Sequence, residues 1–303
     1  MRFVDIPFGF VEQWGMDTRR LRLLLELSRL GSMREVADEM HITTSTVSQQ
    51  LAVLTREAGT ALTEPDGRRV RLTPAGRRLA AHAVTILSAV EAARLDLDPG
   101  GEPAGQLRVA GFASAVRRAL IPITAVLARD HPRVRLLIAE HEPFEAYELL
   151  AADAVDLALV YDYNLAPVTP DPSLDVVPLW QKRWALGVPT ESDVDVFSAA
   201  RDADWIVNSR NTADADVVRA VAGLDGFSPR FVHKADSLSL VQDLIVAGLG
   251  VALLPEGLAL QPGVRMVPLT DPAIVLRCYA VTRRGRATWP ALALLLRLLR
   301  AAP

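Results

Sequence analysis

Between Thr43 and Arg56 the side chains able to do chemistry are hydrogen-bonding groups rather than paired catalytic acids and bases. On a helix, Ser45, Gln49 and Arg56 share one face, with Thr44 and Ser48 flanking them near the amino end. Val47, Leu51 and Leu54 fall on the opposite face. A Gln amide pairs bidentately with adenine, and a Ser or Thr hydroxyl bonds several base edges or packs its methyl on thymine. The chemistry implied by Thr43, Thr44, Ser45, Ser48, Gln49 and Arg56 is the reading of duplex DNA.

Two short helices meeting at a tight turn would position those groups. Ser32 and Glu35 make a Ser-x-x-Glu capping box for the first helix, and Val36, Ala37 and Met40 supply its buried stripe. Thr43 caps the second helix through its hydroxyl. An ordinary helical hairpin with a solvated face fits the same pattern, and the residues that follow decide between the two. After Gly59, a helix stop, Leu62 to Leu72 reads as two short extended arms around the turn Pro65-Asp66-Gly67. This wing carries Arg68, Arg69 and Arg71 at or just beyond its tip, where guanidinium groups meet phosphate or enter a narrow minor groove. Thr73 and Pro74 then open a third helix. Along it Leu79, Ala83, Ile86, Val90, Ala93 and Leu97 recur at alternating steps of four and three, a heptad stripe. A helix of about 25 residues, roughly 37 Å long, is too one-sided for a small domain to cover. A partner helix from a second chain would cover it, with the first helix of the same chain packed along part of its length.

Residues 16 to 98 resemble the winged helix-turn-helix and linker helix of LysR-type transcriptional regulators, and the rest of the chain resembles their effector-binding domain. The resemblance rests on Gly31-Ser32, Val36-Ala37, the stretch Thr46-Val47-Ser48-Gln49-Gln50-Leu51, the wing and linker from Gly67 to Gly76, and Ala247 to Pro255. Departures are Thr44-Ser45 where members often carry Gln-Pro, Gln49 where they carry Arg, and Leu62-Thr63 where they carry Leu-Phe. The first two fall at base-reading positions, so no operator sequence carries over. The resemblance implies an α/β protein with an N-terminal winged helix-turn-helix, a long linker helix, and a two-lobed, periplasmic-binding-protein-like α/β effector domain. Its boundaries are an extension at 1–15, the DNA-binding domain at 16–73, the linker and dimerisation helix at 74–98, and the effector domain at 105–303. Within the last, lobe I takes 105–180 and 266–303, and lobe II takes 181–265. The implied partners are promoter DNA, a small-molecule effector and a second copy of the chain, as a dimer or, through the second domain, a tetramer. RNA polymerase is a further candidate partner, and no cofactor is implied.

Composition sets bounds on this reading. With 303 residues, half of them hydrophobic, the chain can build two cores. Net charge is only −3, yet residues 16 to 95 hold twelve arginines against nine acidic residues, a net of +3. Non-specific attraction to DNA is therefore weak, and specificity leans on two half-sites. The single cysteine, Cys278, sits in an apolar strand pattern as a buried, inert thiol. The five histidines show no metal-ligand spacing. No stretch approaches the roughly 18 to 20 apolar residues of a membrane span. Residues 1 to 15 lack the features of a signal peptide, so a cytoplasmic location is expected, with translation starting at Met1 or Met16.

Asp98 to Gly105 breaks the linker helix, and strand and helix patterns then alternate. Strands are expected at Leu107 to Gly111, Val134 to Ala139 and Leu157 to Tyr161, paired in parallel, with a second set near 184–188, 205–207, 230–232 and 251–254. The strand near 274–282 and the last helix return to the first set. Two lobes joined by two crossings leave a cleft, where a ligand belongs. Ala113 and Ser114 open one helix, Ser209, Arg210, Asn211 and Thr212 precede another, and His141 follows a strand. Backbone donors and hydroxyls at such ends favour an anionic effector, with Arg210 as a carboxylate partner, although Ser and Thr there also simply cap helices. The chief alternative is a cytoplasmic solute-binding protein without regulatory DNA binding. An enzyme has less support: Gly248-Leu249-Gly250 lacks the third glycine of a dinucleotide loop and runs from helix into strand.

Overall fold

The computed structural model describes residues 15–67, 69–98 and 101–301. In the amino-terminal domain, helix α1 (Thr18–Leu30) is capped by Asp17 and stopped by Gly31, which takes the left-handed conformation. Helix α2 (Met33–Glu39) is capped by Ser32, whose hydroxyl accepts from the Glu35 amide. His41, at φ 53°, turns the chain into α3 (Thr44–Ala58). Leu21, Leu24, Val36, Val47, Leu51 and Leu54 form the core between these helices. Strands β1 (Thr63–Asp66) and β2 (Arg69–Leu72) pair antiparallel as the wing, and an exposed Arg71–Glu64 ion pair crosses the ladder.

The linker helix α4 (Pro74–Leu97) runs 24 residues from its Thr73 cap. Its heptad stripe divides unevenly. Ala83 is wholly buried with Ala80, Val84 and Leu87 in the core of its own chain, so it is not available to a second chain. Ile86 is 39% exposed and Leu97 84% exposed, Ala93 is exposed, and Leu79 and Val90 are partly so. A third face of α4 meets the carboxyl-terminal domain: Thr85 Oγ1 donates to the Arg284 carbonyl at 3.4 Å, and a Cβ on Gly285 would lie 2.3 Å from the same hydroxyl.

That second domain opens with β3 (Gly105–Gly111). A continuous helical run follows: α5 (Ala113–Ala115), a π-helical turn (Val116–Leu120) and α6 (Ile121–Asp130). Then come β4 (Val134–Glu140), α7 (Pro143–Ala151), β5 (Leu157–Tyr163), β6 (Leu174–Pro189), β7 (Asp204–Val207), α8 (Ala213–Leu224), β8 (Arg230–Lys234), α9 (Leu238–Val246), β9 (Ala252–Pro255), β10 (Val264–Val267), β11 (Ile274–Arg283) and α10 (Pro290–Ala301). The main sheet runs β10-β6-β11-β5-β3-β4, with β9 also on β6, while β7 and β8 pair separately. Parallel pairing holds for β3 with β4 and β5, and for β7 with β8; β11 enters antiparallel between β5 and β6.

The expected lobe boundaries fall inside strands. Strand β6 is 16 residues long; Leu174 to Trp184 run along β11 in lobe I, while Trp184 to Pro189 pair with β9 and β10 in lobe II. The 180/181 boundary cuts through it, and 265/266 cuts through β10. Cys278 is 1% exposed in β11, and burial pushes its thiol up to about 12, which leaves it protonated and unreactive. Among the described residues no helix is long and apolar enough to cross a membrane, and no cluster of His, Cys, Asp and Glu has the arrangement of a metal site.

Candidate nucleic-acid interface and ligand cleft

Helix α3 presents the polar face expected of it. Thr43, Thr44, Ser45, Ser48, Gln49 and Arg56 are all exposed, while Val47, Leu51 and Leu54 are buried at 0, 2 and 0% exposure. Thr43 Oγ1 accepts from the Thr46 amide at 3.1 Å and lies 2.8 Å from the Ser45 hydroxyl, so its first role is the cap. Gln50, one position beyond Gln49, accepts from Arg20 Nε at 2.9 Å, and Arg20 also pairs with Glu57. These contacts with α1, together with the apolar back, hold α3 in place while Gln49 faces solvent. Arg68 and the side chain of Arg69 lie outside the described residues.

Between the lobes lies a cavity of about 710 Å³. Ala113, Ser114 and Arg210 line it, as expected from the sequence, and His141, Ser209, Asn211 and Thr212 do not. Each of those four has a partner within the protein. His141 Nδ1 lies 3.2 Å from Glu145 Oε2, Ser209 Oγ donates to Asp236 at 2.8 Å, Asn211 Nδ2 donates to the Tyr161 hydroxyl at 2.9 Å, and Thr212 Oγ1 donates to Asp216 at 2.7 Å. Arg210 does pair with a carboxylate, but it is the protein's own: Nε lies 3.0 Å from Glu145 Oε1. That guanidinium holds Glu145 down at about 2.

The Arg210–Glu145 pair is one part of a clasp between lobes. Asn211 of lobe II also donates to Glu142 of lobe I, and Tyr163 of β5 donates to Asp214 of α8 at 2.9 Å. Burial raises Glu142 above the usual carboxylate range, against the Tyr161 hydroxyl that donates to it at 3.1 Å. Burial likewise lifts Asp214 to about 6, opposed by its bonds from Tyr163 and the Asn208 backbone. Arg117, Glu142, Tyr161, Asp214 and Asp236 line the cavity without having been legible as site residues. Asp214 carried one signal, an acid in the first turn of a helix, which reads equally well as a partner for the helix dipole.

Two family models divide the chain between them. "Bacterial regulatory helix-turn-helix protein, lysR family" matches residues 18–77, and "LysR substrate binding domain" matches residues 100–303. The chain belongs to the LysR family. This LysR-type regulator is 27% identical over 251 residues to the nitrogen assimilation regulatory protein nac of Klebsiella aerogenes, covering 80% of each chain. It is 27% identical over 256 residues to the transcriptional dual regulator GltC of Bacillus subtilis, covering 80% of this chain and 81% of that protein. Among solved structures, a full-length OxyR variant from Pseudomonas aeruginosa aligns with TM-score 0.72 at 19% identity, over 95% of this chain and 94% of that one. ArgP from Mycobacterium tuberculosis aligns with TM-score 0.70 at 21% identity, over 95% and 97%. The fold is therefore that of the family along nearly the whole chain. The protein is a DNA-binding transcriptional regulator with an effector-binding domain, and the solute-binding alternative is set aside.

Proposed function

We propose that Thr43, Thr44, Ser45, Ser48, Gln49 and Arg56 contact operator DNA in the major groove, with Arg68 and Arg69 of the wing on the flanking phosphates. The observation that carries this is the polar face of α3, exposed from Thr43 to Arg56 over a fully buried Val47, Leu51 and Leu54. In vitro selection from a random duplex library tests it. Gln49→Ala is expected to change base preference at one position of each half-site by about 1–3 kcal/mol. An unchanged preference would remove Gln49 from base reading.

Two copies pair through the outer stripe of α4, formed by Leu79, Ile86, Val90, Ala93 and Leu97, and Ala83 supports that stripe from inside its own chain. The pairing sets two α3 helices at the spacing of two half-sites. Ile86→Glu with Val90→Glu is expected to yield monomers by light scattering at concentrations where the native chain is a dimer; persisting dimers would assign the pairing to another surface. Pairs of dimers joined through the effector domain would make tetramers. The protein works in the cytoplasm, where its DNA is.

The interlobe cavity holds the small-molecule effector, with an anionic group at Ala113 and Ser114. Binding there competes with the clasp of Arg210, Asn211 and Asp214, so the lobes take a different closure with and without ligand. Lobe I is seated on α4 through Arg284, Gly285 and Thr85. A change in closure is thereby passed to the helix that spaces the two DNA-reading domains.

A further inference from the structure

The charges lining the cavity narrow the chemistry of its ligand. Among the described residues two cations line it, Arg117 and Arg210. Arg210 is committed to Glu145. Arg117 stands on the π-helical turn three residues after Ser114 and, among the described residues, has no ion pair. Among the described residues it is the one lining cation free to take an anionic group, three positions along the helix from Ser114. A single-turn π-bulge is a backbone feature that recurs at functional sites.

The acidic side is larger. Glu140, Glu142, Asp214 and Asp236 line the same space. Asp214 is held by the neutral Tyr163 hydroxyl, Glu142 by the neutral Tyr161 and Asn211, and Asp236 by the neutral Ser209. None of these three is ion-paired among the described residues, and Glu140 reaches Arg210 only at 3.9 Å. Carboxylates drawn out of water with no countercharge are costly. Burial is the largest cause of the upward displacement of both Glu142 and Asp214; the Arg210 charge offsets it only in part at Glu142, and no cation offsets it at Asp214. A purely anionic ligand would be enclosed with three unpaired carboxylates, and a purely cationic one would meet Arg117. At about 710 Å³ the space is ample for one small molecule.

We infer that the effector carries both signs: a carboxylate or similar anion received by Ser114 and Arg117, and a protonated nitrogen received by Glu142 and Asp214, as in an amino acid. This rests on the reading of the cavity as the effector site. The test uses the full-length protein in thermal-shift and calorimetric titrations with three sets of probes. These are the twenty common L-α-amino acids, the amines cadaverine and agmatine, and the dicarboxylates succinate and glutarate. At least one amino acid is expected to raise the melting temperature by several degrees, with the amines and dicarboxylates silent. Arg117→Ala and Asp214→Asn are each expected to weaken that binding at least tenfold, and Glu142→Gln to weaken it less steeply. A cooperative melting transition of the unliganded variants, as sharp as that of the native protein, shows that their effector domain is folded. Equal or better binding of an amine or a dicarboxylate overturns the inference while leaving the cleft as effector site, provided Arg210→Ala alters it. Undiminished amino-acid binding by Arg117→Ala and Asp214→Asn also overturns it. Silence of every probe counts against both the inference and the reading beneath it.

Discussion

Asp214→Asn is expected to stabilise the effector domain at neutral pH while costing it ligand. The carboxyl is lifted from an ordinary 3.8 to about 6, with burial as the largest cause and the neighbouring Asp236 adding to it. An acid whose folded value lies above its unfolded one holds its proton longer in the native state. Its contribution is therefore complete below about pH 4, shrinks as pH rises toward about 6, and is absent above that. A lift from 3.8 to about 6 corresponds to at most about 3 kcal/mol. The part of Asp214 open to the cleft lowers this, so about 1–3 kcal/mol is expected. Asn keeps an oxygen to accept the Tyr163 hydroxyl and carries no charge to desolvate. Thermal melts of the native protein and the variant between pH 4 and 8 check this: the two curves should converge at the acid end, diverge between about pH 4 and 6, and stay apart by a constant amount above that. A parallel pair of curves would mean that Asp214 ionises as freely as it does in the unfolded chain. A residue whose removal stabilises the fold is one kept for another reason.

Gly76→Val is expected to disable the DNA-binding domain from a buried position. A Cβ built at Gly76 lies 2.0 Å from the Leu62 carbonyl oxygen, a backbone atom that cannot swing aside. The same corner ties wing to linker: Thr73 donates its amide to Leu62 at 3.0 Å and its hydroxyl to Ala61 at 2.7 Å, and it accepts from the Gly76 amide at 3.0 Å. Opening that corner is expected to cost about 3 kcal/mol, by overpacking together with lost hydrogen bonds. Urea melts should show the amino-terminal transition moving to lower denaturant, with DNA affinity falling in step. Arg78→Ala, an exposed site two residues on, should leave the melt unchanged. A Gly76→Val protein with native stability would show that the wing is not seated on the linker as described.

The amino-terminal domain was the more legible because its signals are local. Caps at Ser32, Thr43 and Thr73 and the stop at Gly59 lie within a few residues of the helices they bound, and each appears in the structure. The heptad stripe of α4 was legible as a stripe, but periodicity does not say which neighbour covers each position, and Ala83 turned out to belong to its own chain. In the effector domain the early strands and helices stand where their patterns predict. The part of β6 before Trp184 was missed because Pro178 and the run Gln181-Lys182-Arg183 interrupt its apolar pattern. That strand carries the crossing between lobes, so the antiparallel entry of β11 was missed with it. The cleft was foreseeable as a place, and its chemistry was not. Arg210 meets Glu145 across 65 residues of chain, Asn211 meets Glu142 across 69 and Asp214 meets Tyr163 across 51. No spacing rule links such positions, and the topology alone brings them together.

Retardation of a DNA fragment from immediately upstream of the protein's own gene, measured across a range of salt, tests most directly that α3 is a DNA-reading surface. The native protein is expected to retard it, with affinity falling steeply as salt rises, and with the double substitution Ser45→Ala and Gln49→Ala to abolish its preference over unrelated DNA. No retardation at low salt, or a preference that survives the double substitution, would contradict it.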